Sequence, residues 1–180
     1  MPEKDPRHNG PDTDTPLWQF ALALWQQDAA RDLLLCLQEQ GWSVTRLLCA
    51  AWLASQGAAY SGDEPQAIQQ WRQNVTESIR SLKKSLDKSD SLLTPLRESL
   101  SRSELEAERI ELYRAWLAIR ETEPADSPVD VDRMAERNLR QAAPVTTSSN
   151  HTTDPMIRHL AQLISATSQA TPGQPRGQGA

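Results

Sequence analysis

WSVTRLLCAAWLASQG, residues 42–57, is the stretch of sequence that decides the fold. Ser43 is suited to cap the start of a helix and Gly57 to end one, and the residues between them are apolar on nearly every side of a helix. A helix that is apolar all round is stable only when other elements cover it. The stretch therefore predicts a central helix inside a helical bundle.

Two shorter helices are predicted immediately before the central one. Thr15 is a suitable N-cap for LWQFALALW (residues 17–25), which is apolar over more than half of a helical circumference. Asp28 is suited to cap AARDLLLCLQEQ (residues 29–40), and the following Gly41 provides a helix stop. We expect both helices to pack against the central one.

A pair of long helices with opposite charge follows the central helix. Residues 63–88 and 94–121 each carry an amphipathic stripe, and their charged parts sum to +3 over residues 72–88 and −3 over residues 98–111. We expect an antiparallel hairpin that the apolar stripes hold together, since exposed ion pairs add only about 0–1 kcal/mol each. The facing charged residues would be Arg80, Lys84 and Lys88 on one helix and Glu104, Glu108 and Glu111 on the other.

The placement of proline sets the predicted boundaries of the folded part. Ten of the twelve prolines lie in residues 1–16 and 124–180. We therefore predict a disordered N-terminus over residues 1–15, a helical bundle domain over residues 16–121, and a largely disordered tail over residues 122–180.

The fold class follows from these elements and from composition. Leu and Ala dominate the apolar residues while Val is scarce, which favours helices and excludes an all-β fold. We predict an all-α protein: a compact bundle of about five helices, with a long antiparallel helical hairpin and a mostly disordered C-terminal tail. The tail contains two candidate short helices, near residues 130–142 and 154–168. Truncation at Thr122 is then expected to leave unfolding cooperative.

No pattern for catalysis, cofactor binding or metal binding occurs in the sequence. His8, His151 and His159 lie in the terminal regions, and none has a second His or a Cys at ligand spacing. The glycines are spaced as helix ends and form neither of the common phosphate-binding loops. We therefore predict no catalytic residue, no cofactor and no metal site.

The distribution of apolar residues bears on localisation. The longest apolar run is the eight residues 47–54, whereas a helix that spans a bilayer needs about 20 residues. Residues 1–16 are polar and lack the apolar segment of a secretory signal. We expect a cytoplasmic protein that does not contact a membrane.

Two parts of the sequence together resemble a known family. LWQFALALW at residues 17–25 and the run of Leu47, Leu48, Trp52 and Leu53 fit the pattern LWxFALxLW…LLxxxWLAxxG. In this pattern, which extends over residues 16–121, the chain resembles a family of small proteobacterial helical proteins known as a domain of unknown function. The resemblance implies a compact helical fold and a bacterial cytoplasmic setting, and it assigns no catalytic residue.

These observations favour a non-enzymatic protein-interaction or regulatory module. Its partner would be another protein or a second copy of the chain. One alternative is a helical bundle that binds a small apolar or aromatic ligand and has an enzymatic role; its cavity would be lined by Trp18, Trp25, Trp52 and Trp71. A weaker alternative is nucleic-acid association through the basic helix face formed by Arg80, Lys83, Lys84 and Lys88.

The candidate interaction surface combines three features. A tryptophan just past a helix stop is expected to be partly exposed, the basic stripe offers charge, and the segment 156–164 is amphipathic. The residues concerned are Trp42, Arg80, Lys84, Lys88, Met156, Leu160 and Leu163.

Overall fold

The computed structural model describes residues 12–125, 130–144 and 153–170. Within these ranges every regular element is helical, which confirms the all-α prediction. A π-helical turn, Arg72–Thr76, joins α4 to α5, and a 3₁₀ turn, Ser91–Leu93, leads into α6. The α-helices are α1 (Pro16–Trp25), α2 (Asp28–Glu39), α3 (Val44–Ser55), α4 (Gln66–Trp71), α5 (Glu77–Ser85), α6 (Thr94–Ile119), α7 (Val131–Gln141) and α8 (Thr153–Ala170).

Two of the three predicted capping residues, Thr15 and Ser43, act at the helix ends as expected, whereas Asp28 lies in the first turn of α2, whose N-cap is Gln27 without a side-chain hydrogen bond. The hydroxyl oxygen of Thr15 accepts a hydrogen bond from the backbone N–H of Trp18 at 3.1 Å, at the start of α1. The hydroxyl of Ser43 does the same for the N–H of Arg46 at 3.3 Å, at the start of α3. Gly57 ends α3 with a φ of +73°, a backbone conformation that favours glycine.

Helix α3 is the central element of the bundle. It contacts α1, α2, α6, α7 and α8, and eight of its twelve residues are buried. Because water is excluded from nearly all of its circumference, the apolar composition of residues 44–55 is explained by its position.

Helices α7 and α8 cover one side of α3 and correct the predicted domain boundary. Leu139 of α7 and Ile157 and Leu160 of α8 are fully or almost fully buried in the same core as α3. The described part of the segment predicted as a mostly disordered tail is therefore folded. The bundle extends beyond residue 121, and both candidate short helices form.

Counting α4 and α5 as one interrupted helix, the described residues contain seven helices rather than about five. The difference is α7 and α8. The disorder predicted for residues 1–15 falls mainly on residues 1–11, which lie outside the described residues, as do residues 126–129, 145–152 and 171–180 of the predicted tail.

A buried amide joins α7 to α3. The side-chain N–H₂ of Asn138 donates to the carbonyl oxygens of Ala50, at 3.2 Å, and Ala58, at 2.9 Å. Its side-chain oxygen accepts from the N–H of Tyr60 at 3.0 Å. Since Asn138 is fully buried, these bonds satisfy polar groups that water cannot reach.

The predicted antiparallel hairpin is present, with an interruption that its sequence pattern did not reveal. Residues early in the first helix of the hairpin contact residues in the second half of α6, as in the hydrogen bond from the Trp71 indole N–H to the Ala107 carbonyl at 3.0 Å. At the π-helical turn the N–H of Glu77 donates to the carbonyl of Arg72, five residues earlier. Such turns are frequent at functional sites.

The far half of the hairpin projects as a two-helix arm. We define the arm as residues 77–103, none of which is buried. Helix α5 packs on α6 and on the π-helical turn that precedes it. The arm therefore has no core of its own.

Candidate functional site

A cavity of about 510 Å³ lies between the α1–α2–α3 side of the bundle and the base of the hairpin. It is open to solvent on one side, so we call it the groove. One wall comes from α1, α2 and the start of α3, and the other from the π-helical turn, α5 and α6. The two walls differ in chemistry.

The first wall is apolar and aromatic. Its most exposed members are large side chains that solvent reaches at the groove: Leu22, Trp25 and Leu35 are 38–39% exposed. Leu105 of α6, 51% exposed, faces them from the hairpin side. Half of the eight large apolar residues that are exposed in the described part of the chain thus line this groove. The remaining apolar lining residues are Trp18, Ala21, Trp42, Val44, Leu48 and Leu112.

The second wall carries two ion-pair networks, of which the first lies at the π-helical turn. Glu111 is 1% exposed and accepts from Arg72 Nε at 2.7 Å and from the Thr76 hydroxyl at 3.0 Å. The guanidinium of Arg72 also binds the carboxylate of Glu64, with one N–O distance of 3.0 Å. Both oxygens of Glu111 are therefore paired, which buried carboxylates require.

The second network lies nearer the arm. Arg80 Nε donates to Glu104 at 2.9 Å, and its Nη2 donates to Glu108 at 2.7 Å. Lys83 pairs with the other oxygen of Glu104. Arg80 thus faces Glu104 and Glu108 as the hairpin prediction stated, while Lys84 and Lys88 form no ion pair within the described residues.

The pKa values of the two carboxylates bound to Arg80 are shifted in opposite directions. Burial raises the pKa of Glu104, but hydrogen bonds from Lys83 and Arg80 outweigh burial, and the pKa lies below its usual range. Burial raises the pKa of Glu108, and Arg80 opposes this only in part because the charges of Glu104 and Glu111 add to it. Glu108 therefore holds a proton more readily than an ordinary glutamate.

Two tryptophans on the helices around the groove make cation–π contacts with arginines, and one of them, Trp18, lines the groove. The Arg114 guanidinium lies 4.1 Å from the ring centre of Trp71, and that of Arg109 lies 5.3 Å from the ring centre of Trp18. Among the rings expected around a ligand, Trp18 and Trp25 line the groove. Trp52 and Trp71 do not line it.

Trp42 does line the groove, but not as the exposed anchor that the sequence predicted. It is 5% exposed, because its ring packs into the core next to α3. Its indole N–H is buried and has no hydrogen-bond acceptor among the described residues. Sequence reasoning missed this, since a position after a helix stop says nothing about what packs over it.

The amphipathic segment of α8 is also used internally. Leu160 is fully buried, and Met156 and Leu163 are partly buried against the core. These three residues therefore do not form an exposed docking face in the described structure. The sequence alternative of an aromatic cavity included Trp18 and Trp25, but the groove as a whole could not be predicted, because the residues that line it come from six separate segments.

Neither a metal site nor a membrane-spanning helix occurs among the described residues. No group of three His, Cys, Asp or Glu residues is arranged to hold a metal ion in residues 12–125, 130–144 and 153–170. None of the helices in these ranges is both long enough and apolar enough to cross a membrane.

The helices that build the groove belong to a region of the chain that matches a known protein family. A family model described as "Protein of unknown function (DUF2390)" matches residues 16–115, more than half of the chain. The match begins at α1 and ends within α6, so it includes both walls of the groove. No curated protein and no solved structure matches the chain.

Proposed function

Because the chain belongs to the DUF2390 family, whose members are described as proteins of unknown function, we propose its function from the groove: a non-enzymatic protein-interaction module that seats apolar side chains of a partner polypeptide. The proposal rests on one observation, the gathering of Leu22, Trp25, Leu35 and Leu105 around a cavity of about 510 Å³. Exposed apolar patches of this kind mark interaction sites.

The openness of the groove favours a polypeptide over a small molecule. Sites for small ligands typically bury about 70–90% of the ligand surface, whereas this groove leaves one side to solvent. A helix or extended segment of a partner needs an open groove, because only one face of the segment is buried. Trp25 and Leu105 then correspond to the apolar centre of an interface.

The charged wall fits the rim of such an interface. Protein interfaces combine an apolar centre with a polar, hydrated rim. Arg80 and Lys83 already neutralise Glu104 and Glu108, so a partner can cover the apolar wall without leaving the charges of this network unpaired. This supports a role in binding for the charged wall.

We propose the cytoplasm as the compartment of the protein.

A second candidate function is binding of a small apolar or aromatic ligand in the same groove. Trp18 and Trp25 line the same groove as Glu108, whose pKa is raised, and carboxyl groups with raised pKa values occur at catalytic sites. Mass spectrometry of the native protein separates the two functions, because a small ligand appears as an added mass of a few hundred daltons.

Photocrosslinking tests the proposed function. We would place a benzophenone amino acid at position 105 and, as a matched control on the same helix, at position 117, since Leu117 is 40% exposed and lies outside the groove. We expect a protein adduct on irradiation in the native cell from position 105 and little from position 117. Equal yields from the two positions, or none from position 105, contradict the proposal.

A further inference from the structure

We propose that the protein binds a small organic ammonium ion, that is, an apolar amine in its charged form, in a second cavity that is separate from the groove. This second cavity has a volume of about 510 Å³ and shares no lining residue with the groove. Its walls are α3, the segment between α3 and α4, α4 itself and the end of α6. The inference is therefore independent of the proposed function.

The inner surface of the second cavity is apolar and lies deep in the bundle. Leu53 of α3, Ile68 of α4 and Ile119 of α6 line it and are 2–9% exposed. None of the large apolar side chains that are exposed in the described part of the chain lines it, so a partner polypeptide gains little apolar contact here. Its volume lies in the range of about 300–1,000 Å³ that is typical of small-molecule sites. The shape and lining therefore fit a small molecule with an apolar body.

A tyrosine adds an unpaired polar group to this apolar interior. Tyr60 lines the cavity and is 6% exposed, and its hydroxyl forms no hydrogen bond within the described residues. Burial raises the pKa of Tyr60, so the hydroxyl stays protonated and uncharged at neutral pH. A tyrosine hydroxyl usually finds a hydrogen-bond partner when it is buried. A polar group on the ligand can supply this partner.

The charged residues that line the cavity within the described ranges are both acidic. Asp63 is exposed and forms no ion pair there. Glu64 is bound by Arg72, with one N–O distance of 3.0 Å. However, Arg72 also binds Glu111, so one guanidinium serves two carboxylates that are almost fully buried. Arg72 therefore leaves one charge of this network, and that of Asp63, without compensation.

Arg46 is a further cation whose charge reaches this region, because it opposes the rise in the pKa of Tyr60 that burial causes. Its guanidinium donates to the carbonyl oxygens of Gly62 and Gln141, at 3.0 and 3.1 Å, and forms no ion pair within the described residues. With Arg46 counted, three carboxylates stand against two guanidinium groups. A bound cation balances this excess, whereas an anion adds to it.

An ammonium group satisfies both requirements of the site. It has three N–H donors, which can bond to the Tyr60 oxygen and to the carboxylate of Asp63 or Glu64. Hydrogen bonds from a charged donor to a carboxylate are among the strongest in proteins. The apolar body of the amine then covers Leu53 and Ile119.

The segment that carries Tyr60 and Asp63 is fixed without a ligand. The N–H of Tyr60 donates to the side-chain oxygen of Asn138 at 3.0 Å, and the N–H of Asp63 donates to the hydroxyl oxygen of Ser61 at 3.1 Å. Between them Gly62 has a φ of +84°, a conformation that favours glycine. A preformed site binds without a cost for ordering this segment.

The cysteine in the cavity does not make it a site for covalent attachment. Cys49 lines the cavity and is 3% exposed. Burial raises the pKa of its thiol, so the thiol stays protonated, and the protonated form is a poor nucleophile. Binding of the amine is therefore reversible.

The test is an NMR titration of the full chain with three probes of similar size: benzylamine, benzyl alcohol and benzoate. They share one ring and differ in the charge of the polar group. We expect benzylamine to shift the amide signals of Asp63, Ile68 and Ile119 and to saturate in the millimolar range. Benzyl alcohol should bind at least about threefold more weakly, because it lacks the charged donor. Benzoate should cause no shift at these residues.

Three variants locate the binding. Tyr60→Phe removes only the hydroxyl, Asp63→Asn removes only the charge, and Ala118→Leu places a larger side chain at an exposed lining position. Each should raise the dissociation constant of benzylamine at least about threefold. Glu106→Gln, which removes an exposed charge of α6 away from the cavity, is the matched control and should leave this constant unchanged.

The inference is overturned if benzylamine shifts no signal of the second cavity, or if it shifts only signals of the groove, such as those of Leu22 and Leu105. Equal affinity for the three probes also overturns it, since the charge would then play no part. So does an affinity that is unchanged in both Tyr60→Phe and Asp63→Asn. Circular dichroism of each variant verifies that it has folded. The crosslinking result at position 105 is separate from all these outcomes, because the two sites share no residue.

Discussion

Arg72 and Glu111 form a buried ion pair at the point where the π-helical turn meets α6, with Nε and Oε1 2.7 Å apart. Only 15% of the Arg72 side chain and 2% of the Glu111 side chain remain exposed. The pair joins the two helices of the hairpin beneath the groove. Because both side chains also line the groove, the shape of the groove depends on an ion pair that is almost fully buried.

Glu111→Ala should strongly destabilise the fold. It leaves the guanidinium of Arg72 with Glu64 alone and removes the acceptor of the Thr76 hydroxyl. Breaking one partner of a buried ion pair costs about 3–5 kcal/mol in the free energy of unfolding. Urea unfolding followed by circular dichroism measures it. Glu106→Ala, at an exposed position of the same helix, should change that free energy little; equal losses would show that Glu111 has no special role.

Asn138→Ala should weaken the packing of α7 on α3. The substitution removes the partners of the Ala50 and Ala58 carbonyls and of the Tyr60 N–H in a site without water access. Leaving buried polar groups unpaired should lower the free energy of unfolding by about 2–4 kcal/mol. The matched control is Asn74→Ala, since Asn74 is exposed. Hydrogen exchange of α7 should accelerate in the first variant and stay unchanged in the second.

A chain that ends at residue 125 should lose its cooperative thermal transition. It lacks α7 and α8, so the α3 surface under Leu139, Leu160 and Ile164 becomes exposed to water. This reverses the expectation from the sequence, in which truncation at Thr122 leaves unfolding cooperative. Calorimetry measures the transition, and a chain that ends at residue 170 is the control. A sharp transition in the shorter chain would contradict the role assigned to α7 and α8.

Glu108→Gln should make the protein relatively more stable as pH rises. A carboxyl group with a raised pKa in the folded state binds its proton more tightly there than in the unfolded chain. It therefore contributes stability below the ordinary glutamate pKa of about 4.3 and loses it as pH rises through the folded value. Glutamine removes this loss.

We would measure urea unfolding of both proteins at pH values from about 4 to about 7. The free energy of unfolding of the Gln variant, minus that of the unaltered chain, should increase over this range. Glu106→Gln serves as the exposed control. A difference that decreases with pH would mean that the pairing of Glu108 with Arg80 outweighs its burial.

The helices and their ends could be predicted from the sequence because the forces that set them are local. Thr15 and Ser43 cap helices within three residues of themselves, and Gly57 adopts a positive φ at the end of its own helix. The all-round apolar character of residues 44–55 likewise identified α3 as central. The pairing of Arg80 with the acidic stripe of α6 followed from helical spacing and opposite charge.

The fate of the C-terminal segment could not be predicted from local pattern. Its composition resembles that of disordered segments, and Leu160 lies on an amphipathic face that suits a partner protein as well as the chain's own core. Whether such a face is covered internally depends on the surface that α3 leaves uncovered. That surface exists only once the bundle has assembled.

The sequence by itself determined the class of fold, the position of α3 and the charge bias of the hairpin, because periodicity, capping and charge act between residues a few positions apart. Tertiary structure decided the groove, the burial of Trp42 and Glu111, and the docking of α7 and α8. These features depend on which surfaces meet when distant segments pack. Burial sets the free-energy cost of leaving each polar group unpaired, and no local sequence pattern specifies which groups are buried.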